Sequence, residues 1–190
     1  MKLTKLAALA LIVTGSAMAQ NSDLGILFSV AVTKYNFGFA TETRYSGGIQ
    51  FNYAWQIIER PSGRLYIEVP VGLLSGLPVN ARFVTPGLRY HFNLTHRLAV
   101  HAAVGAGIAV REQQFYTLAP IPNSSGVTIA GTDTSWRGSP AYDLGAGADF
   151  RLTRLLSLRG EARRFRTTDV FGFGDGKTYP SANIGLALHF

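Results

Sequence analysis

Ionisable side chains recur at alternate positions in several segments of this 190-residue chain, flanked by apolar or small residues. Arg159, Glu161 and Arg163 are the clearest example, because only Gly160 and Ala162 separate them. Carboxylates and guanidiniums that share one face of a sheet form charge-assisted, often bidentate hydrogen bonds. The chemistry that the pattern indicates is charge pairing. We predict a packed interior ion network of seven members: Glu68, Arg89, Asp143, Asp149, Arg159, Glu161 and Arg163.

The four histidines are the other candidates for chemistry, as general bases or metal ligands. His91, His96, His101 and His189 all lie near predicted short turns, and the chain contains no His-x-Ser pair. Their common position near the short turns argues against a Ser/His nucleophilic site that acts at the opposite end. We place His189 on a strand across the barrel from His91, which argues against a histidine metal cluster. The absence of cysteine excludes thiolate ligands. We therefore predict no catalytic residue, no metal and no cofactor.

The elements that position these residues are strands, because apolar and polar residues alternate with period two. In 48–57 the apolar set Ile49, Phe51, Tyr53, Trp55 and Ile57 alternates with polar or small residues. Eight such segments follow one another, and the connections between them alternate in length. The short connections are 59–64, 93–97 and 152–155, and the long ones are 33–44, 74–81, 115–139 and 167–178. The predicted fold class is all-β: an eight-stranded antiparallel up-and-down transmembrane β-barrel with short periplasmic turns and longer extracellular loops.

The apolar face of each segment is predicted to contact lipid, and the polar face to fill the lumen. A soluble, lipocalin-like barrel would reverse this arrangement. Three features favour the membrane form: small residues crowd the polar face, charges of both signs share it, and aromatic residues gather near the short turns. This predicted aromatic girdle comprises Trp55, Tyr90, Phe92, Phe150 and Phe190.

The first residues are typical of an export signal. Lys2 and Lys5 precede an apolar run over 6–13, and small residues at 17–19 suit cleavage after Ala19. The run is too short for a spanning helix. We expect a cleaved signal peptide at 1–19, a barrel domain at 20–190 and a location in the bacterial outer membrane.

Tight turns also predict the register of opposed strands, because paired residues have a constant sum of numbers. A sum of 308 around Thr153 pairs Asp149 with Arg159, and a sum of 190 around Thr95 pairs Arg89 with His101. Pro70 removes a ladder donor and predicts a bulge or kink. Inward Tyr66, Phe83 and Phe165 are expected to fill the space beside the inward glycines, so we expect no water-filled pore.

The C-terminus carries a recognisable pattern, with a final aromatic residue and apolar residues at every second position before it: Ala182, Ile184, Leu186, Leu188 and Phe190. The charged segment 158–164 precedes it. In these motifs, and in strand count and loop asymmetry, the chain resembles the small outer-membrane barrel superfamily of the OmpA transmembrane domain, OmpX and the opacity-like proteins. The resemblance implies that the barrel-assembly machinery recognises the terminal strand as an assembly signal.

Cations at the loop ends of strands, or in the loops, form a predicted contact surface for lipopolysaccharide phosphates: Arg44, Arg82, Arg111, Arg137, Arg164, Arg166 and Lys177. The third loop, 117–139, is expected to meet external partners. Outer-membrane lipid is the expected environment, and nucleic acid is not an expected partner. We predict a non-enzymatic barrel that supports the envelope or presents loops for adhesion; the alternatives are a lipid A modifying enzyme and a narrow channel or carrier for small apolar ligands.

Overall fold

The computed structural model describes residues 21–36, 41–76, 80–120, 127–168 and 178–190. Within these ranges the regular structure consists of nine antiparallel strands: β1 Ser22–Asn36, β2 Thr41–Arg60, β3 Gly63–Ser75, β4 Ala81–Val84, β5 Gly87–Asn93, β6 Leu98–Pro120, β7 Val127–Arg151, β8 Leu156–Thr167 and β9 Thr178–His189. No helix in this part of the chain is long and apolar enough to cross a membrane. The predicted signal peptide, 1–19, lies outside the described residues.

The strands form a closed ring of hydrogen bonds. Strands that follow one another in the chain pair, except β4 with β5, and β1 pairs with β9 to complete the circle. The short strands β4 and β5 occupy one position, because both pair with β3 on one side and β6 on the other. The ring therefore has eight positions, one of which holds a strand interrupted at Thr85 and Pro86. The predicted eight-stranded antiparallel barrel is confirmed.

Pro70 lies beside this interruption. Strand β3 runs without a break through Pro70, and the Pro70 carbonyl accepts a hydrogen bond from the Thr85 N–H. The expected irregularity therefore lies in the neighbouring strand, at Thr85 and Pro86, which face Pro70. The register shift between β2 and β3 lies elsewhere, at Ile57 between Gln56 and Ile58.

The outer face of the ring is apolar, and the buried charged side chains all lie on the inner face. Phe51, Trp55 and Leu186 point outward and are 38%, 42% and 47% exposed. Arg159 and Asp149 are almost completely buried in the interior. This arrangement excludes the soluble alternative, in which the aromatic face would converge on a dry centre.

Two of the short turns share one design. Leu94-Thr95-His96-Arg97-Leu98 and Leu152-Thr153-Arg154-Leu155-Leu156 have the same pattern, and in each the Thr hydroxyl oxygen accepts hydrogen bonds from two backbone N–H groups further along the turn. The second turn gives the predicted sum of 308.

The register predicted around the first turn is wrong by two residues. His91 is paired with His101, and Arg89 with Ala103, which corresponds to a sum of 192. The reason is that the turn is centred on His96, as its twin is centred on Arg154. Because the error is even, every inward residue stays inward.

The predicted third loop, 117–139, is largely strand. Strands β6 and β7 remain paired as far as Pro120 and Val127. Strand β8 accompanies β7 only as far as the pair Ala141 and Thr167, and β4 accompanies β6 as far as Arg111. Beyond these points, within the described residues, the two strands pair only with each other, so the predicted loop is corrected to a two-stranded hairpin that extends past the neighbouring strands.

The interior divides into two halves. Near the short turns it is charged, and toward the hairpin it is apolar and aromatic. Phe83 stacks on Phe165 with ring centroids 4.7 Å apart and contacts Tyr179 edge-on at 5.4 Å. This apolar cluster comprises Ala31, Leu74, Ala81, Phe83, Ala109, Ala141, Phe165 and Tyr179. Tyr66 lies instead in the charged half, beside His91 and Arg89.

Candidate functional site

Arg159 is one centre of the charged half. Its guanidinium donates to both oxygens of Asp149, at 2.6 and 2.9 Å, and to both oxygens of Asp23, at 3.1 and 2.7 Å. Asp149 is the cross-strand partner of Arg159, whereas Asp23 reaches it from β1. Two bidentate pairs on one buried guanidinium are strongly directional, so they fix this side chain.

Arg163 is the second centre. It donates at 2.6 Å to Asp143 and at 2.6 Å to Glu68, and it also bonds Glu161. Gln50 donates to the Glu161 carboxylate at 2.9 Å. Arg163 lies across the ladder from Gly145, where a Cβ would come within 2.9 Å of the arginine side chain, so the glycine leaves room for it.

Arg89 joins the two centres. One of its nitrogens lies 2.9 Å from Asp23 and another 3.3 Å from Glu68. Its guanidinium also lies 5.2 Å from the Tyr66 ring centroid, within the range of a cation–π contact. The seven predicted residues are therefore in one connected network, which Asp23 completes. The alternation of β1 indicates that Asp23 points inward, but it does not show which strands meet across the lumen.

The buried network contains more acids than bases. Among the described residues, five buried carboxylates accompany three buried guanidiniums, which leaves an excess of two negative charges when histidines are neutral. The members are Asp23, Glu68, Asp143, Asp149 and Glu161 with Arg89, Arg159 and Arg163.

Two buried histidines border the network. His91 and His101 are cross-strand partners with nearly parallel rings, 5.0 Å apart and inclined by 12°. His91 Nε2 lies 3.5 Å from Asp149 Oδ2, and His101 Nδ1 lies 3.9 Å from the same oxygen. His101 Nε2 contacts Glu161 at 3.2 Å. Gly147 allows this placement of the His101 ring, because a Cβ there would come within 2.7 Å of it.

His189 lies between a serine and an aspartate, Ser157 and Asp23. Ser157 Oγ lies 2.8 Å from His189 Nε2, and His189 Nδ1 lies 3.4 Å from Asp23 Oδ2. The sequence argued against a Ser/His nucleophilic site, and the structure nevertheless brings one serine and one histidine into hydrogen-bond contact. Ser157 lies on β8 and His189 on β9, the strand that closes the ring against β1. No local spacing in the sequence indicates this contact.

A cavity of about 300 Å³ opens at the short-turn end beside both groups. His91, Asp149, Ser157 and His189 all line it. His189 lies on β9, four positions around the ring from the strand of His91, as predicted. The eight-stranded ring is nevertheless narrow enough for the two residues to line one cavity.

A family model described as outer membrane protein beta-barrel domain matches residues 6–190, nearly the whole chain. The chain belongs to this family. Its location is the bacterial outer membrane. Among curated protein sequences, none matches this member of the family.

Solved structures agree with this outer membrane β-barrel fold. The attachment invasion locus protein Ail of Yersinia pestis has a TM-score of 0.56 at 11% identity, over 90% of this chain and 99% of Ail. Neisserial surface protein A has a TM-score of 0.56 at 12% identity, over 88% of this chain and 97% of that protein. At these identities the likeness shows the fold alone.

The outward residues of this family member have the arrangement that a membrane requires. Trp55, Phe92, Phe150 and Phe190 are exposed on the outer face near the short turns, and Tyr90 packs edge-on against Phe92. The predicted assembly residues all point outward along β9: Ala182, Ile184, Leu186, Leu188 and Phe190. Their roles as girdle and assembly signal stay predictions.

The predicted lipopolysaccharide contacts differ in the face of the barrel on which they lie and in their exposure. Arg82, Arg164 and Arg166 are exposed on the outer face. Arg44 and Arg111 share the inward register of their strands and are only partly exposed. The side chain of Arg137 and the whole of Lys177 lie outside the described part of the structure.

Proposed function

We propose that this protein is a non-enzymatic outer-membrane barrel that supports the envelope and presents its β6–β7 hairpin to partners outside the cell. The observation that carries the proposal is that both halves of the interior, apart from the cavity at the short-turn end, contain fully buried side chains. Arg89, Arg159 and Phe83 are each 0% exposed, and together they represent both halves of the lumen. An interior packed in this way supports a structural role, because it leaves the outer surface and the hairpin as the regions open to partners.

The hairpin supports the second half of the proposal. Among the described residues, 113–120 of β6 pair only with β7, and at about 3.3 Å per residue this section extends roughly 26 Å. A paired ribbon presents side chains in a more fixed arrangement than a loop of the same length. The attachment invasion locus protein, a structural relative, has also been crystallised with the heparin analogue sucrose octasulfate.

The test is to shorten the hairpin without touching the barrel. Replacing 115–133 by Asn-Gly joins the paired residues Gln114 and Thr134 through a two-residue turn. We expect the shortened protein to keep its heat-dependent gel mobility, because the ring is unchanged. Attachment of expressing cells to epithelial monolayers is expected to fall to the level of cells that lack the protein. Unchanged attachment by the folded, shortened protein would reject the role of the hairpin.

We also propose that the exposed arginines Arg82, Arg164 and Arg166 bind lipopolysaccharide phosphates. A guanidinium matches phosphate geometry through two parallel hydrogen bonds. Lipopolysaccharide added to purified barrel is expected to raise the melting temperature, and the triple Gln variant is expected to lose this increase. A variant that retains the full increase would exclude these residues as the binding surface.

A second candidate function is acyl transfer or hydrolysis, and the contact of Ser157, His189 and Asp23 favours it. The Nε2 atom of the histidine faces the hydroxyl and Nδ1 faces the carboxylate, as in a nucleophilic triad. Asp23 is already engaged by Arg159 and Arg89, which reduces its capacity to stabilise an imidazolium. Covalent labelling of the folded barrel by a fluorophosphonate, lost in Ser157→Ala, would support an enzyme; unlabelled wild type would reject it.

A further inference from the structure

We propose that His91, His101 and Asp149 form a binding site for a divalent transition-metal ion, of the zinc class, at the floor of the barrel. Each of the three residues offers one ligand atom, and these atoms all lie within 4.8 Å of one another. We take the donors to be His91 Nε2, His101 Nδ1 and Asp149 Oδ2, which make the contacts given above. The site borders the ion network on the side of the short turns.

The distances between the two imidazole nitrogens and the Asp149 oxygen are long for hydrogen bonds and closer to the separation of two ligands on a tetrahedral ion. The two nitrogens lie 3.5 and 3.9 Å from the carboxylate oxygen. Ligands about 2.0–2.1 Å from a tetrahedral zinc lie roughly 3.4 Å from each other. The two rings are nearly parallel, so an ion bound by both requires the rings to turn about their Cβ–Cγ torsions, which are broad for histidine.

Both nitrogens are buried and lack a hydrogen-bond partner. The His91 side chain is 7% exposed and that of His101 is 0% exposed. His91 Nε2 and His101 Nδ1 make no hydrogen bond in the structure. A buried polar atom without a partner is costly, so each nitrogen has free bonding capacity close to Asp149.

Glu161 sets the tautomer that a metal ligand needs. Its carboxylate lies 3.2 Å from His101 Nε2, which donates its proton there when the ring is neutral. The lone pair of His101 is then on Nδ1, opposite the Asp149 oxygen. A carboxylate behind a metal-binding histidine is the usual supporting contact in such sites.

The charges of the surroundings favour a cation. Arg159 holds both oxygens of Asp149, but each carboxylate oxygen has a second lone pair. Arg89 and Arg159 oppose a cation, whereas five carboxylates of the same network attract it. The excess of two negative charges equals the charge of one divalent ion.

The cavity provides a route and an open coordination position. It is lined by His91 and Asp149 and opens at the short-turn end of the barrel. Two imidazole nitrogens and one carboxylate suit zinc, cobalt, nickel or copper ions rather than magnesium or calcium. The fourth position faces the cavity, where water can bind.

The test measures metal binding by the full-length barrel purified from outer membranes and stripped with a chelator. We expect one Zn²⁺ per folded chain by isothermal titration and a tetrahedral visible spectrum with Co²⁺. His91→Gln is expected to weaken Zn²⁺ binding roughly a hundredfold or more, given the effects of supporting contacts alone. The matched control is His96→Gln, in the exposed β5–β6 turn, which is expected to bind like wild type.

Each result decides the proposal. Gel mobility with and without boiling shows whether each variant is folded. Folded wild type that binds no Zn²⁺, or folded His91→Gln that binds as tightly as wild type, would overturn the site. If His91→Gln does not fold, the Co²⁺ spectrum of wild type decides: a tetrahedral spectrum supports the site, and octahedral or no binding rejects it.

Discussion

The two halves of the interior fill the lumen of the barrel through different interactions. The half near the short turns uses three arginines and five carboxylates held by short, directional contacts. The half toward the hairpin uses Phe83, Phe165 and Tyr179, which pack through ring contacts. Directional pairs specify which strands lie opposite each other, whereas apolar packing mainly fills volume. The difference indicates that specificity is concentrated at the charged end.

Removing Arg159 should have the largest effect on stability. Arg159→Met leaves Asp23 and Asp149 without their bidentate partner and is expected to lower the free energy of unfolding by about 4 kcal/mol. Urea unfolding followed by gel mobility measures the change. Acidification protonates the stranded carboxylates, so part of the loss should be recovered at low pH. Arg154→Ala, on an exposed turn, is the control; an equal loss in both variants would contradict the role of the network.

Removing Phe83 should have the next largest effect and a different character. Phe83→Ala opens a cavity between Phe165 and Tyr179 and is expected to cost about 3 kcal/mol. Unlike the arginine variant, it should show the same loss at neutral and low pH, because no charge is stranded. A loss that shrinks on acidification would show that the two halves are not energetically distinct.

The two turns that share the Leu-Thr-x-x-Leu pattern, 94–98 and 152–156, should show smaller losses of unfolding free energy, which can be compared directly. Thr95→Val and Thr153→Val each remove a hydroxyl that accepts two backbone N–H groups, and each should cost about 1 kcal/mol. The two losses should agree within about 0.5 kcal/mol, which is the usual precision of additive effects. Clearly unequal values from urea unfolding would show that the shared pattern does not produce equivalent turns.

Local periodicity predicted which side chains of each strand point outward and the order of the strands in the ring. Side-chain direction depends only on whether a residue stands at an odd or an even position along its strand. Periodicity also gave the register around Thr153. The register around Thr95 was missed, although the Leu-Thr-x-x-Leu pattern of the two turns contains the signal. The hairpin was missed because Pro, Ser, Gly and Thr are typical of loops, and pairing with a long partner strand outweighed that composition.

The candidate site was less predictable than the fold. Asp23, Ser157 and His189 come from three different strands, and their contact depends on ring closure and stagger rather than on spacing. The same holds for His91, His101 and Asp149, whose relation follows from a register two residues from the predicted one. Contacts of this kind, among residues far apart in the sequence, depend on the register of all the strands and on closure of the ring.

Pairing of β1 with β9 makes the first and last parts of the chain adjacent, with Asp23 opposite His189. A contact that spans nearly the whole sequence is a slow event in folding, since loop-closure entropy must be overcome before it forms. Arg159 can bind Asp23 only after this seam has closed. Closure of this seam therefore also completes the charge network, so a chain whose terminal strands join out of register would leave buried charges without partners.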